Sequence, residues 1–213
     1  MNAAPARFPC VVLAGGQARR LGGGDKPLRT VGGQPILDRM LDRLRPQVQS
    51  LAISANGDPA RFAAYGLPVL GDNGPRGQTG PLAGVLSALV WAETLGATRV
   101  LTVAGDTPFL PRDLTDRLGE AAEAQADHIA VAASAGRSHP VFALWPVSVA
   151  LDLRLFLAES ETFSVAAFQK RHQLVSVEFP FSTDSGGPID PFFNINTPDD
   201  LASADRMTKV RTP

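Results

Sequence analysis

Residues 11–27 concentrate groups suited to holding a chain of phosphates. Gly15-Gly16 and Gly22-Gly23-Gly24 flank Arg19-Arg20, and Asp25-Lys26-Pro27 follows. Glycine lets the main chain approach an anion closely and turn several N–H groups onto it. Arg19, Arg20 and Lys26 add formal charge that those dipoles alone lack. With a formal net charge of −1 over the chain, this cationic loop is a local feature and not part of a nucleic-acid surface. The lysine follows Asp25 and precedes Pro27, which excludes a P-loop, and the dinucleotide spacing G-x-G-x-x-G is missing after Leu13. A glycine-rich turn with solvated arginines is the bland alternative, and three cations within one loop weigh against it. Nucleotide handling is the chemistry expected here.

Other polar residues sit where apolar runs end. Asn56, Asp72 and Asp106 each follow a Val/Leu/Ile-rich segment, as do Gly15 and Gly16. Taken singly, each has a structural alternative: Asp106 as a turn or cap residue before Pro111, Asn56-Gly57 as a turn, Asp25 as a partner of Lys26 or of an arginine. Delivered together to one edge of a parallel sheet, they would instead line one ligand crevice. Near the C-terminus, Asn194 and Asn196 stand at i and i+2 of an extended segment and would face the same way. Thr197 is placed to cap a helix starting at Pro198, with Asp200 in its first turn. His139 is read as either a structural hydrogen bonder or a ligand contact. His128 and His172 read as surface residues with no metal-ligand spacing. Cys10 reads as a small buried residue, and Trp91 and Trp145 as packing groups.

These residues need a scaffold of alternating strands and helices. Short apolar runs at 10–13, 51–55, 68–70 and 99–104 read as strands, with helices at 35–44, 59–65, 81–95 and 111–126 between and after them. Further strands are expected at 129–133, 139–144 and 174–179, the first two antiparallel because a short loop separates them, with helices at 147–158 and 164–170. Residues 182–188 read as a loop. The pattern is that of βαβ units around a mostly parallel sheet. With 213 residues and 44% hydrophobic content, one domain spanning 1–213 is expected. A single cysteine excludes an internal disulfide framework, and the chain shows neither a signal-peptide core nor a run long enough for a bilayer. A cytoplasmic monomer is the expectation.

Leu13-Ala14-Gly15-Gly16, Ala18-Arg19-Arg20-Leu21-Gly22-Gly23 and Asp25-Lys26 together resemble the signature loop of nucleotidyltransferases with a Rossmann-like, glycosyltransferase-A-type fold. Ile53-Ser54-Ala55-Asn56, Gly80-Pro81-Leu82-Ala83-Gly84, Gly105-Asp106-Thr107-Pro108-Phe109-Leu110-Pro111, Ser138-His139-Pro140-Val141-Phe142 and Phe193-Asn194-Ile195-Asn196-Thr197-Pro198 extend the likeness nearly end to end. Within that superfamily the chain is most similar to the molybdenum cofactor guanylyltransferases, which join the GMP part of GTP to the terminal phosphate of molybdopterin. The departures are small: Gly105 stands where cysteine is common, and Leu21 replaces a frequent methionine.

The resemblance implies a single α/β domain with a mixed, mostly parallel sheet, a nucleotide-binding half at about 8–110 and an acceptor-binding half at about 111–205. It implies that Leu13, Ala14, Gly15 and Gly16 lie along GTP, that Lys26 meets its phosphates, and that Asn56 and Asp72 serve the nucleoside. Mg2+ is expected at Asp106, molybdopterin beside Asn194 and Asn196, and catalysis by Arg20, Lys26 and Asp106. Molybdopterin-donor and molybdoenzyme-delivery proteins are the implied protein partners. Gly15-Gly16, where cytidylyl relatives tend to have alanine-glycine, favours GTP over CTP, and a sugar-phosphate acceptor is the other enzyme alternative. Retention of Lys26 and Asp106 argues against a noncatalytic nucleotide- or molybdopterin-binding chaperone.

Overall fold

The structure, a computed structural model, describes residues 7–15, 23–71, 80–125, 127–160, 163–182 and 187–209. Nine strands are assigned among them: β1 (Pro9–Leu13), β2 (Thr30–Val31), β3 (Gln34–Pro35), β4 (Ser50–Ser54), β5 (Val69–Leu70), β6 (Arg99–Ala104), β7 (Ile129–Ser134), β8 (Arg137–Pro146) and β9 (Leu174–Glu178). Seven form one sheet in the order β5-β4-β1-β6-β8-β7-β9, and β2 and β3 make a separate hairpin. Strands β5, β4, β1 and β6 are mutually parallel, β8 pairs antiparallel with both β6 and β7, and β7 is parallel to β9. The mixed, mostly parallel sheet expected from sequence is therefore present.

Helices cover both faces. On one lie α1 (Ile36–Leu44), α3 (Leu114–Glu123) and α6 (Pro198–Lys209); on the other lie α2 (Pro81–Thr94), α4 (Ala150–Glu159) and α5 (Val165–Gln169). Alternation along β1 sends Cys10 and Val12 into the first layer and Val11 into the second, all fully buried. A strand packed on both sides must be apolar at successive positions, which is why β1 reads as an unbroken hydrophobic run and residues 100–104 of β6 as one broken only by the buried Thr102. Burial also raises the Cys10 thiol far above its ordinary pKa, in keeping with a packing role. Trp145 is buried likewise, its indole N–H donating to Thr102 Oγ1 at 2.8 Å. No described helix is long and apolar enough to cross a membrane.

Several local features depart from the sequence expectation. The 59–65 segment is a 3-10 helix (Pro59–Tyr65), and the 147–158 helix divides into a 3-10 turn (Val147–Val149) and α4. Helix α3 starts at Leu114 instead of residue 111, because side chains claim the carbonyls that would open it. Arg43 donates to Leu110 O at 2.7 Å and Gln47 to Pro111 O at 2.9 Å. The β2–β3 hairpin turns through Gly32 and Gly33, both with positive φ (56° and 77°). His128 and His172 are half-buried and not fully exposed, and His172 Nε2 lies 3.0 Å from Asp152 Oδ2 with its ring against Phe168.

Candidate functional site

The C-terminal ends of β1, β4 and β6 meet at one edge of the sheet and are laced together beyond the strands. Ala14 N donates to Ser54 O at 2.8 Å and Gly105 N to Leu13 O at 2.9 Å. A Cβ on Gly105 would lie 3.0 Å from Leu13 O and 3.2 Å from Pro27 Cγ, so glycine permits this close approach. Gly84 does the same from above: a Cβ there would meet Ser54 Oγ at 2.9 Å and Leu13 Cδ2 at 3.1 Å, so α2 presses directly on the strand ends. Leu13, Ala14, Lys26, Pro27, Ala104, Gly105 and Asp106 line a small cleft of about 110 Å³ at this edge.

Charge is concentrated at the cleft mouth. The Lys26 ammonium donates to Asp106 Oδ2 at 2.5 Å and to Asn196 Oδ1 at 2.6 Å. Lys26 is carried by the 3-10 turn Lys26–Leu28, Asp106 by the end of β6, and Asn196 by the segment entering α6. That last segment is itself tied to the Asp106 loop: Ile195 N donates to Asp106 O at 3.1 Å, and the fully buried Thr107 hydroxyl to Asn194 Oδ1 at 2.7 Å. Asn194 thus meets the Asp106 loop through Thr107, while Asn196 meets Lys26 on the neighbouring turn. Thr197 and Asp200 cap α6 reciprocally, Asp200 Oδ2 accepting from Asn196 N and Thr197 N and Thr197 Oγ1 accepting from Asp200 N. Burial alone would raise the Asp200 carboxyl, but the Asn196 and Thr197 donors, with Lys26 nearby, outweigh it and hold it below its usual range.

His139 is buried and hydrogen-bonded within the protein, the first of its two sequence readings. Its Nε2 lies 2.7 Å from Ser134 Oγ, which donates to Asp190 Oδ1 at 2.8 Å, and its ring packs 4.5 Å from that of Phe192. Asp190 also accepts from Phe192 N at 2.9 Å, so this network anchors the segment that leads to Asn194. Desolvation depresses the His139 pKa, reinforced by Arg137 and opposed by Asp190 and Glu178.

Of the residues singled out in the sequence, the structure brings Leu13, Ala14, Lys26, Asp106, Asn194 and Asn196 together. Gly15 and Asn56 follow β1 and β4 at the same edge. Gly16, Arg19, Arg20 and Asp72 lie outside the described residues. Asp25 pairs with an arginine, as one of its alternatives had it, and that arginine is Arg61, with Nε 3.0 Å from Oδ1. Sequence reasoning passed over Arg61, Thr107 and Arg29, whose Nη2 donates to Gly23 O at 2.5 Å. Their only signals are tertiary.

A doubly layered sheet whose parallel strand ends gather a glycine-opened cleft, a lysine and a carboxylate defines a nucleotidyltransferase. Residues 10–174 match the family model of the MobA-like NTP transferase domain, and the chain belongs to that family. It is 53% identical over 203 residues to the molybdenum cofactor guanylyltransferase of Mesorhizobium japonicum, covering 95% of this chain and 96% of that protein. The protein of the same name from Rhodopseudomonas palustris strain BisB5 is 52% identical over 201 residues, with 93% of each chain covered. Among solved structures, molybdopterin-guanine dinucleotide biosynthesis protein A from Archaeoglobus fulgidus shares the fold at a TM-score of 0.72 and 20% identity, covering 95% of this chain and 99% of that one. A manganese complex of Rv0371C from Mycobacterium tuberculosis superposes at a TM-score of 0.61 and 19% identity, covering 93% and 98%.

Proposed function

We propose that this chain transfers GMP from GTP to the terminal phosphate of molybdenum-molybdopterin, giving molybdopterin guanine dinucleotide and pyrophosphate. The observation that carries the reading is the convergence of Lys26, Asp106 and Asn196 at the strand edge. Near-full-length relatives at about half identity supply the substrates. The attacking phosphate oxygen is already ionised near neutral pH, so no serine, cysteine or histidine has to be activated. The protein's task is to bring two polyanions together and stabilise the charge that moves onto pyrophosphate.

The oxygens of Asp106 and Asn196 already converge on one cation, the Lys26 ammonium, so they fit a divalent ion. One carboxylate with an amide oxygen beside it suits a hard cation that completes its shell with water and substrate phosphates. Magnesium held there would supply Lewis-acid neutralisation of the phosphate oxygens. Lys26 then turns from Asp106 to the phosphates, and Arg20 meets the transferring phosphoryl group. Leu13, Ala14, Gly15 and Gly16 lie along GTP, Asn56 and Asp72 serve its nucleoside, and the exposed Asn196, with Asn194 behind it on Thr107, faces the acceptor. The half at about 8–110 takes the nucleotide and the half at about 111–205 the acceptor. A cytoplasmic monomer that exchanges molybdopterin with donor and molybdoenzyme-delivery proteins completes the reading.

The test is direct. Purified protein is incubated with Mg2+, molybdopterin and each nucleoside triphosphate in turn, and the product is identified by mass. The guanine dinucleotide and pyrophosphate are expected from GTP; preferred use of CTP, or of a sugar phosphate as acceptor, would overturn the assignment. Asp106→Ala should abolish product, and normal turnover by that variant would remove Asp106 from the chemistry.

A further inference from the structure

One guanidinium joins the two turns on which a nucleotide would lie. Arg61 projects from the 3-10 helix Pro59–Tyr65, whose start is capped by Asp58 Oδ1 accepting from Ala60 N at 2.9 Å. Its Nε sits 3.0 Å from Asp25 Oδ1, and its Nη2 donates to the main-chain oxygen of Asn56. The plane is steadied by the buried Phe62 ring, whose centroid is 5.0 Å from Cζ. Room for it is left by Gly57 (φ +83°), where a Cβ would lie 2.9 Å from Nη1. The position of Asp25 matters as much as the contact. It is the residue before the Lys26–Leu28 turn, yet its carboxylate caps no N–H of that turn. An aspartate there ordinarily satisfies the local backbone; this one is spent on Arg61. Arginine presents several donors in a fixed plane, which suits Arg61 to pair with a carboxylate and donate to a carbonyl on two separate turns at once.

We propose that Arg61 is a positioning residue that straps the nucleoside-side turn at Asn56-Gly57 to the phosphate-side turn at Asp25-Lys26, setting the spacing that lets base and triphosphate bind together. This rests on the reading of the site as a GTP site. Without the strap each turn keeps its own contacts, but the two are no longer held at the separation that GTP spans. The loss therefore falls on ligands with both ends. A bare triphosphate has no base to place and is indifferent to the spacing.

The experiment is calorimetric titration of the whole protein with Mg2+ and either GTP or inorganic tripolyphosphate, each variant's fold being checked by thermal melting. The variants are Arg61→Met, Arg61→Lys, Asp25→Asn and the double variant Arg61→Met/Asp25→Asn. GTP affinity is expected to fall about tenfold in Arg61→Met and in Asp25→Asn, and no further in the double variant because one interaction is lost in all three. Tripolyphosphate affinity should stay within about twofold, because the phosphate contacts themselves are intact. Arg61→Lys keeps the charge opposite Asp25 and should lose less than Arg61→Met; it and Asp25→Asn carry the test if Arg61→Met does not fold. Unchanged GTP binding, losses that multiply in the double variant, or equal losses for GTP and tripolyphosphate would overturn the strap. Failure of the unaltered protein to bind GTP would instead sink the GTP reading.

Discussion

Lys26 holds two oxygens that a metal ion would also take. Its ammonium and the Asp106 carboxylate are 13% and 17% exposed, shielded enough that removing one partner leaves an unbalanced charge at the cleft. Lys26→Met should lower transfer by about a hundredfold, the usual scale for losing one group that stabilises a phosphoryl transition state. The same variant should bind Mn2+ several-fold more tightly in the absence of nucleotide, read by electron paramagnetic resonance, because a competing cation has gone. Weaker Mn2+ binding would show that Lys26 does not compete for Asp106. Asp106 and Lys26 were legible in sequence because each sits at a recognisable place, one ending an apolar strand and the other leaving a glycine loop. Thr107 and Arg61 were not. A hydroxyl beside an aspartate carries no mark of its asparagine partner 87 residues on.

Most strands and helices were legible because hydrophobic periodicity reports which faces are buried. Helix starts were less so. The carbonyls at 110 and 111 are claimed by Arg43 and Gln47, a choice made by tertiary neighbours and invisible to local propensity. The two-residue strands β2 and β3 are too short for any alternation to register, although Gly32-Gly33 is the pair a tight hairpin turn wants. At the start of α6 the local signals agreed, and Thr197→Ala should lower stability by about 1 kcal/mol in chemical denaturation for loss of the cap. Gly84 sets a harder limit. Valine there would push Ser54 and Leu13 off their positions and should cost about 1–3 kcal/mol, with weakened GTP binding, since overpacking moves backbone. Unaltered stability in Gly84→Val would mean that α2 has room to retreat.

The whole molecule carries a titratable weak point in the anchor behind Asn194. His139 has its pKa depressed in the folded state below the ordinary 6.5, chiefly by burial. The unfolded chain therefore binds the proton first, and this contribution to stability is complete above about pH 6.5 and shrinks as pH falls toward the folded value. His139→Gln should flatten the fall in denaturation midpoint as the pH drops below about 6.5. An unchanged slope would assign that acid sensitivity elsewhere. At this scale the βαβ order and the shared strand edge were foreseeable, whereas the docking of residues 190–196 against that edge was not. No periodicity marks a segment held by an aspartate, a serine and a stacked ring.

The contact between Lys26 and Asn196 spans 170 positions of the chain. A ribosome makes this protein from its N-terminus, so β1, β4, the Asp106 strand and helices α1 and α2 can form while the asparagine segment is still being made. Site assembly is then the closing event of synthesis. Until Asn196 arrives, Lys26 keeps Asp106 but lacks its second acceptor among the described residues, and a nascent or prematurely terminated chain would carry the strand-edge cleft without the asparagine segment beside it.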